Sequence, residues 1–195
     1  MKKLVLICFV LVSTRGFSQS FMQGMMQRIT FGIKGGVNYS NYVNTDFTTN
    51  ALTGFHAGAL VDFRLTKNLS IQEEFLYSLQ GAKVPGNEFG KEEVKVSYMA
   101  VPFLLKYRTN LGIYFEAGPQ VGMRISDNIG KMQTGDFAKR VDLAAAAGLG
   151  YQSKSGFGIG VRYVAGLSGV GNFQSTTVKP DFRTSVAQAS VFYIF

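Results

Sequence analysis

The chain has 195 residues, with one cysteine, one histidine, no tryptophan and a formal charge of +8. That length suits a single all-β domain. It contains no second run approaching the roughly 18 apolar residues of a transmembrane helix. The lone cysteine rules out a disulfide or a thiolate metal site. The basic residues are dispersed, which excludes the stripe that nucleic-acid binding needs.

Residues 1–20 read as a cleaved export signal. Lys2 and Lys3 form a basic n-region, Leu4 to Val12 an apolar h-region, and Ser18-Gln19-Ser20 offers small residues at the cleavage positions. Nine apolar residues cannot cross a hydrocarbon layer about 30 Å thick as a helix. Cys8 lies inside the h-region behind Ile7, where a lipoprotein signal would want a small residue, so the mature chain would have no cysteine. Loss of Lys2, Lys3 and Arg15 lowers the basic count from 20 to 17 against 12 acidic residues, a net of +5. Residues 21–29, rich in Met and Gln and without alternation, read as a periplasmic lead-in, and 30–195 as the folded domain.

From Thr30 onward, eight segments alternate apolar and polar residues, the period-2 mark of strands with two different faces. The first, about 30–40, sets Phe31, Ile33, Val37 and Tyr39 against Gly32, Lys34, Gly36 and Asn38. The second, about 54–65, sets Phe55, Val61 and Phe63 against His56, Asp62 and Arg64. The third, about 69–80, sets Ile71, Phe75 and Tyr77 against Gln72, Glu74 and Ser78. The fourth ends with Met99, Val101, Phe103, Leu105 and Tyr107 opposite Ala100, Leu104 and Lys106. In the fifth, Ile113, Phe115, Val121 and Met123 oppose Tyr114, Glu116, Gln120 and Arg124. The sixth carries Val141, Leu143, Leu149 and Tyr151 against Asp142, Gly148 and Gly150. The seventh sets Phe157, Ile159, Val161 and Tyr163 against Gly158, Gly160 and Arg162. The eighth closes with Ala187, Ala189, Val191, Tyr193 and Phe195.

Two irregularities interrupt this pattern. Val94, Val96 and Tyr98 lie in one phase and Met99 onward in the other, which predicts a β-bulge near Tyr98 or an extramembrane start to the fourth strand. Pro102 and Pro119 each remove a ladder donor and fall nearly opposite one another, which predicts a weakened patch in that hairpin.

Connections alternate in length. Short links lie at Thr66-Lys67-Asn68, Arg108-Thr109-Asn110-Leu111 and Gln152-Ser153-Lys154-Ser155, and long ones at about 41–53, 81–93, 125–139 and 168–182. Tight turns at one end and long loops at the other characterise an eight-stranded antiparallel up-and-down transmembrane β-barrel. The alternation alone also fits a soluble, lipocalin-like barrel with its apolar face inward. Three features favour apolar-outward. Phe31, Phe63, Tyr107, Phe115, Tyr151, Phe157 and Phe195 recur where strands meet short turns, forming one aromatic girdle at a membrane interface. The polar face is rich in glycine, which makes room in a crowded lumen. The charges on that face nearly balance: Lys34, Arg64, Lys106, Arg124 and Arg162 beside Asp62, Glu74, Glu116 and Asp142. Paired, they would form a salt-bridge network filling the lumen. Such a filled interior disfavours an open pore.

Several segments are similar to a known family: Phe31 to Ser40 (FGIKGGVNYS), Gln72 to Gly81 (QEEFLYSLQG), Val101 to Tyr107 (VPFLLKY), Glu116 to Gly122 (EAGPQVG), Gly158 to Tyr163 (GIGVRY) and the terminal Phe195. They resemble the outer-membrane β-barrel family widespread in Bacteroidota, whose members are called PorT-like or porin-family proteins. The resemblance covers essentially the whole mature chain and implies an outer-membrane, eight-stranded barrel. Most such members have no established activity, and the resemblance implies no role in protein secretion. One departure is Ala100, two residues before Pro102, where the family often has an acidic residue.

Signatures of catalysis are sparse. His56 is the only histidine, and a hydrolase built on it would want a carboxylate partner such as Asp46 at the extracellular rim. Glu73-Glu74 and Glu92-Glu93 are adjacent pairs that point to opposite faces of a strand, so neither makes a metal site. No cofactor is expected. The resulting expectation is a non-enzymatic outer-membrane barrel with a structural or interaction role through four extracellular loops. A small porin-like channel is the alternative, and a hydrolase using His56 a further one. Expected partners are outer-membrane lipid, the barrel assembly machinery and an unidentified extracellular ligand of the loops, with no nucleic acid.

Overall fold

The alternating segments form eight strands: β1 (Ile29–Val43), β2 (Asn50–Arg64), β3 (Leu69–Lys83), β4 (Glu93–Arg108), β5 (Ile113–Asp127), β6 (Val141–Gln152), β7 (Phe157–Gly166) and β8 (Arg183–Ile194). The structure, a computed structural model, describes residues 26–43, 49–83, 93–127, 141–167 and 183–195. Each strand pairs antiparallel with the next, and β1 pairs with β8 to close the barrel. Closure satisfies the backbone groups that an open sheet would leave bare in lipid.

The register fixes the dimensions of the wall. From Ile29, the paired residues run through Phe63, Ile71, Leu105, Ala117, Ala147, Tyr163 and Ala187 and return to β1 at Tyr39, ten residues further along. With ordinary strand spacings, that stagger over eight strands corresponds to a tilt of about 40° and a backbone radius of about 8 Å. Inward side chains of ordinary length reach across most of so narrow a lumen.

Burial follows the pleat. Phe31, Ile33, Val37, Phe115, Leu149, Ile159, Val161 and Val191 are exposed on the outer wall, while Lys34, Asn38, His56, Glu74, Lys106, Glu116 and Arg162 are buried inside. The apolar side of each strand therefore faces outward.

The short turns have a local cause. Thr109 N donates to Ile113 O at 2.8 Å and Gly112 N to Thr109 O at 3.0 Å, with Gly112 at φ +94°. The third turn repeats this: Ser153 N donates to Phe157 O at 2.8 Å, with Gly156 at φ +92°. Only glycine adopts this left-handed backbone without strain.

Three sequence expectations are refined by the ladder. Strands are longer than the side-chain alternation indicates: β1 runs on to Val43, β2 starts at Asn50, β3 ends at Lys83 and β8 starts at Arg183. Ladder bonds are made by the backbone, so Asn41↔Ser185 and Tyr42↔Thr184 pair where the alternation has faded. Secondly, the bulge expected near Tyr98 is present, as a register shift between Ser97 and Tyr98 in the β4–β5 pairing, and β4 itself keeps one phase. Val96 and Tyr98 are buried in the same inward phase as Ala100 and Leu104, and the β3–β4 register keeps one offset from Lys83↔Glu93 to Leu69↔Tyr107, with no pairs between Leu76↔Ala100 and Glu73↔Phe103. The slip lies in β5, where Ile125 is the extra residue between Ser97↔Ser126 and Tyr98↔Arg124. Val96 and Tyr98 line the lumen instead of turning outward, whereas Ile125 is exposed. Thirdly, the lead-in is tied down at its end: Arg28 O accepts from Arg64 N at 2.9 Å, and β1 begins at Ile29. Residues 1–20, read as an export signal, lie outside the described residues, as do most of the four long connections.

The proline patch is visible in the ladder. Between Pro102↔Gln120 and Leu105↔Ala117 the β4–β5 register carries no pairs.

Candidate functional site in the barrel lumen

The interior is organised around one carboxylate. Glu74 on β3 is fully buried and accepts from Arg162 Nη1 at 2.7 Å, Arg162 Nη2 at 2.8 Å, Lys34 Nζ at 3.0 Å and Gln72 Nε2 at 2.6 Å. Arg162 also reaches Glu116 Oε1, through Nε at 2.8 Å and Nη2 at 2.7 Å. Lys34, Glu74, Glu116 and Arg162 come from β1, β3, β5 and β7, so alternate strands meet on the barrel axis. Inward spokes from one strand in two bring opposite walls into contact, which no pair of adjacent strands could do.

Lys106 extends the cluster toward the short turns. It donates to Gln72 Oε1 at 2.9 Å and lies 4.3 Å from the centre of the Tyr114 ring and 4.8 Å from that of Phe192. Two ring faces desolvate this ammonium while a cation–π attraction offsets part of the cost. Asp62 accepts from Ser70 Oγ at 2.7 Å. Leu60, Tyr114, Phe192 and Ile194 form an apolar layer around this end.

Toward the long loops a neutral hub follows. His56 Nδ1 lies 2.7 Å from Asn38 Oδ1, and Nε2 lies 2.9 Å from Ser190 Oγ. Asn38 Nδ2 donates to Ser78 Oγ and to the carbonyls of Phe55 and Leu79, each at 3.0 Å. On the other side of the lumen, Leu104, Ala144, Ala146, Val164 and Val186 of β4, β6, β7 and β8 form a second apolar cluster.

Glycine supplies the room. A Cβ at Gly36 would meet the His56 ring at 2.8 Å, one at Gly148 would meet Glu116 Oε1 at 3.0 Å, and one at Gly150 would meet Tyr114 Oη at 2.6 Å. The lumen glycines stand where large inward side chains cross.

Of the nine charged residues expected in the lumen, Lys34, Glu74, Lys106, Glu116 and Arg162 come together, with Asp62 just beyond. Arg64 is exposed at the turn end and does not belong to the buried cluster. It lines the mouth of the lumen instead. Arg124 and Asp142 are half-buried, each holding an interaction of its own. The buried cluster thus balances three cations with three carboxylates. Ala100, at the position where an acid was expected from the resemblance, is buried opposite Leu76 and Gly122.

Phe31, Tyr107, Phe115, Tyr151, Phe157 and Phe195 are exposed on the outer wall near the turns, with Phe63 half-buried among them. A second aromatic group lies toward the long loops and was absent from the sequence reading: Tyr39, Phe55, Tyr77 and Tyr163 are exposed, and the Phe55 and Tyr77 rings are 5.8 Å apart. Tyr39 and Tyr163 both flank Ala187 in the register. Depth can be counted outward from a three-residue turn, but not across a long loop, and that hid this group.

His56 is buried, and its ring nitrogens contact Asn38 and Ser190 rather than a carboxylate. Asp46, its suggested partner, lies outside the described residues.

The comparisons with known proteins fit this geometry. The family model described as outer membrane protein beta-barrel domain matches residues 17–171. The chain belongs to that family. Membership of the outer membrane protein beta-barrel domain family places it in the outer membrane. No curated protein sequence matches the chain. Among solved structures it is similar to Ail, the attachment invasion locus protein of Yersinia pestis. In its complex with the heparin analogue sucrose octasulfate, Ail is 17% identical with a TM-score of 0.52, over 86% of this chain and 99% of that one. A second Ail structure gives 14% identity and 0.51, over 85% and 98%. OprG from Pseudomonas aeruginosa gives 13% identity and a TM-score of 0.49, over 85% and 95%. At these identities the likeness to Ail speaks for the fold alone.

Proposed function

We propose that this barrel is a closed, non-enzymatic outer-membrane anchor that presents its four long connections outside the cell as an interaction surface. The observation that carries the reading is the Lys34–Glu74–Arg162–Glu116 cluster, which crosses the lumen from four alternate strands with every member buried. An ion or solute passing through would have to break several charge-assisted bonds in a low-dielectric interior. The sequestered His56, bonded to Asn38 and Ser190, supports the same reading against a hydrolase. Residues 1–20 act in this reading as the export signal, outer-membrane lipid surrounds the wall and the barrel assembly machinery inserts it. An unidentified extracellular ligand engages the loops. The likeness of FGIKGGVNYS, VPFLLKY and EAGPQVG to PorT-like Bacteroidota barrels belongs to this reading too.

Planar-bilayer recording tests closure: no sustained open events are expected, and steps of fixed size would overturn it. Single cysteines test orientation. Asn87→Cys in a long connection should react with an impermeant maleimide on intact cells, whereas Lys154→Cys in a turn should not. The reverse pattern would invert the assignment of the two ends.

A further inference from the structure

The turn end holds a space that the lumen cluster does not use. A vestibule of about 750 Å³ lies between the three short turns and the end of β8. Four cationic side chains line it, Arg64, Lys67, Arg108 and Lys154, and among the described residues no acidic side chain does. Below it, a cavity of about 30 Å³ touches Lys106 and Asp62. Asp62, the sole acid there, is buried and already accepts from Ser70. Gathering like charges around one mouth raises the energy of the empty rim.

The main chain beneath these cations is held in place. Arg64 N donates to Arg28 O at 2.9 Å, Arg108 N to Asn68 O at 2.7 Å, Gln152 N to Gly112 O at 2.8 Å and Ile194 N to Gly156 O at 3.0 Å. Asn68 Nδ2 adds a bond of 2.6 Å to Arg108 O, joining the first turn to the second. The rim's main chain is therefore laced around its circumference, and a ligand has to order only the cationic side chains, not the turns that carry them. Its volume lies in the range of about 300–1,000 Å³ usual for small-molecule sites.

We infer that this vestibule binds a multivalent phosphate anion. Two guanidinium forks, on Arg64 and Arg108, suit the bidentate geometry of phosphate oxygens, and Lys67 and Lys154 add point charges. A phosphate group carries up to about two negative charges, so a compound with two or three of them matches the rim's positive charge. The same chemistry has two sources: a soluble phosphorylated compound, or the phosphate headgroups of lipid in the leaflet beside the turns. The inference does not depend on which compartment the turn end faces or on what the loops bind, so it stands or falls separately from the anchor reading.

The test uses the folded chain in phosphatidylcholine nanodiscs, titrated calorimetrically with tripolyphosphate at low salt. Saturable binding is expected, weakened at least tenfold in R64Q/R108Q and reduced by added salt. Lys83→Gln at the opposite end should bind like the parent. Heat-modifiable gel mobility verifies that each variant is folded. In discs of mixed phosphatidylglycerol and phosphatidylcholine, retention of phosphatidylglycerol by the parent and its loss in R64Q/R108Q assigns the lipid source. Tripolyphosphate binding without lipid enrichment assigns the soluble one. Absence of saturable binding, or parental affinity in folded R64Q/R108Q, would overturn the inference.

Discussion

Replacing Glu74 by leucine would remove the acceptor that holds the lumen together. The substitution deletes four hydrogen bonds of 2.6–3.0 Å from a residue with no exposed surface. Arg162 keeps Glu116 as a partner, but Lys34 loses the one carboxylate to which it is bridged. Removing one partner of a buried ion pair costs about 3–5 kcal/mol, because the other charge stays behind without compensation. Glu74→Gln keeps an acceptor without the charge and should cost less, about 1.5–3 kcal/mol. Urea titrations of the barrel in phospholipid vesicles, read by heat-modifiable mobility, give the free energies. The double variant Lys34→Met/Glu74→Leu leaves Arg162 and Glu116 as a balanced pair. It should therefore recover at least about 1 kcal/mol relative to Glu74→Leu, a coupling that the double-mutant cycle isolates. A loss below about 1 kcal/mol in Glu74→Leu, or simple additivity in the cycle, would refute the view that charge pairing organises the lumen.

Other parts of the wall make separate predictions. A Cβ at Gly160 would collide with Tyr114 Oη, so Gly160→Ala should destabilise by about 1–3 kcal/mol, and Tyr114→Phe should relieve much of that in the same urea assay. Gly112 and Gly156 sit at φ +94° and +92°. Alanine at either should cost about 1–3 kcal/mol, measured as a shift in unfolding midpoint. The pair-free stretch between Pro102↔Gln120 and Leu105↔Ala117 should exchange its amide protons faster than the continuous β1–β2 ladder, as hydrogen exchange in nanodiscs would show. Equal protection in the two regions would remove the weak patch.

Much of this arrangement was legible before folding because a strand has only two faces. Once Ile33 and Val37 were placed outward, Lys34 and Asn38 had to point inward, and the same logic set Glu74, Glu116 and Arg162 inside. The short link at Arg108-Thr109-Asn110-Leu111 was equally local. Arg64 was misplaced because alternation states a face but not where the buried interior gives way to its mouth. The hub of Asn38, His56 and Ser190 escaped notice since its members are polar residues of common types on β1, β2 and β8, and they are neighbours only after closure. The phase change at Val96 and Tyr98 did mark a bulge, but alternation could not say that the extra residue, Ile125, belongs to β5 or that Val96 and Tyr98 stay inside the lumen.

The amino-acid sequence by itself determined the number of strands, the face each residue takes and the end at which the chain turns tightly. Those depend on φ, ψ and side-chain polarity within a few residues. Only the tertiary structure decided which charges meet. A stagger of ten residues around eight strands brings Lys34, Glu74, Glu116 and Arg162 onto one axis and sets Arg64, Lys67, Arg108 and Lys154 around one mouth. That stagger comes from the sum of eight pairings and from closure of the last on the first, a property no single segment carries.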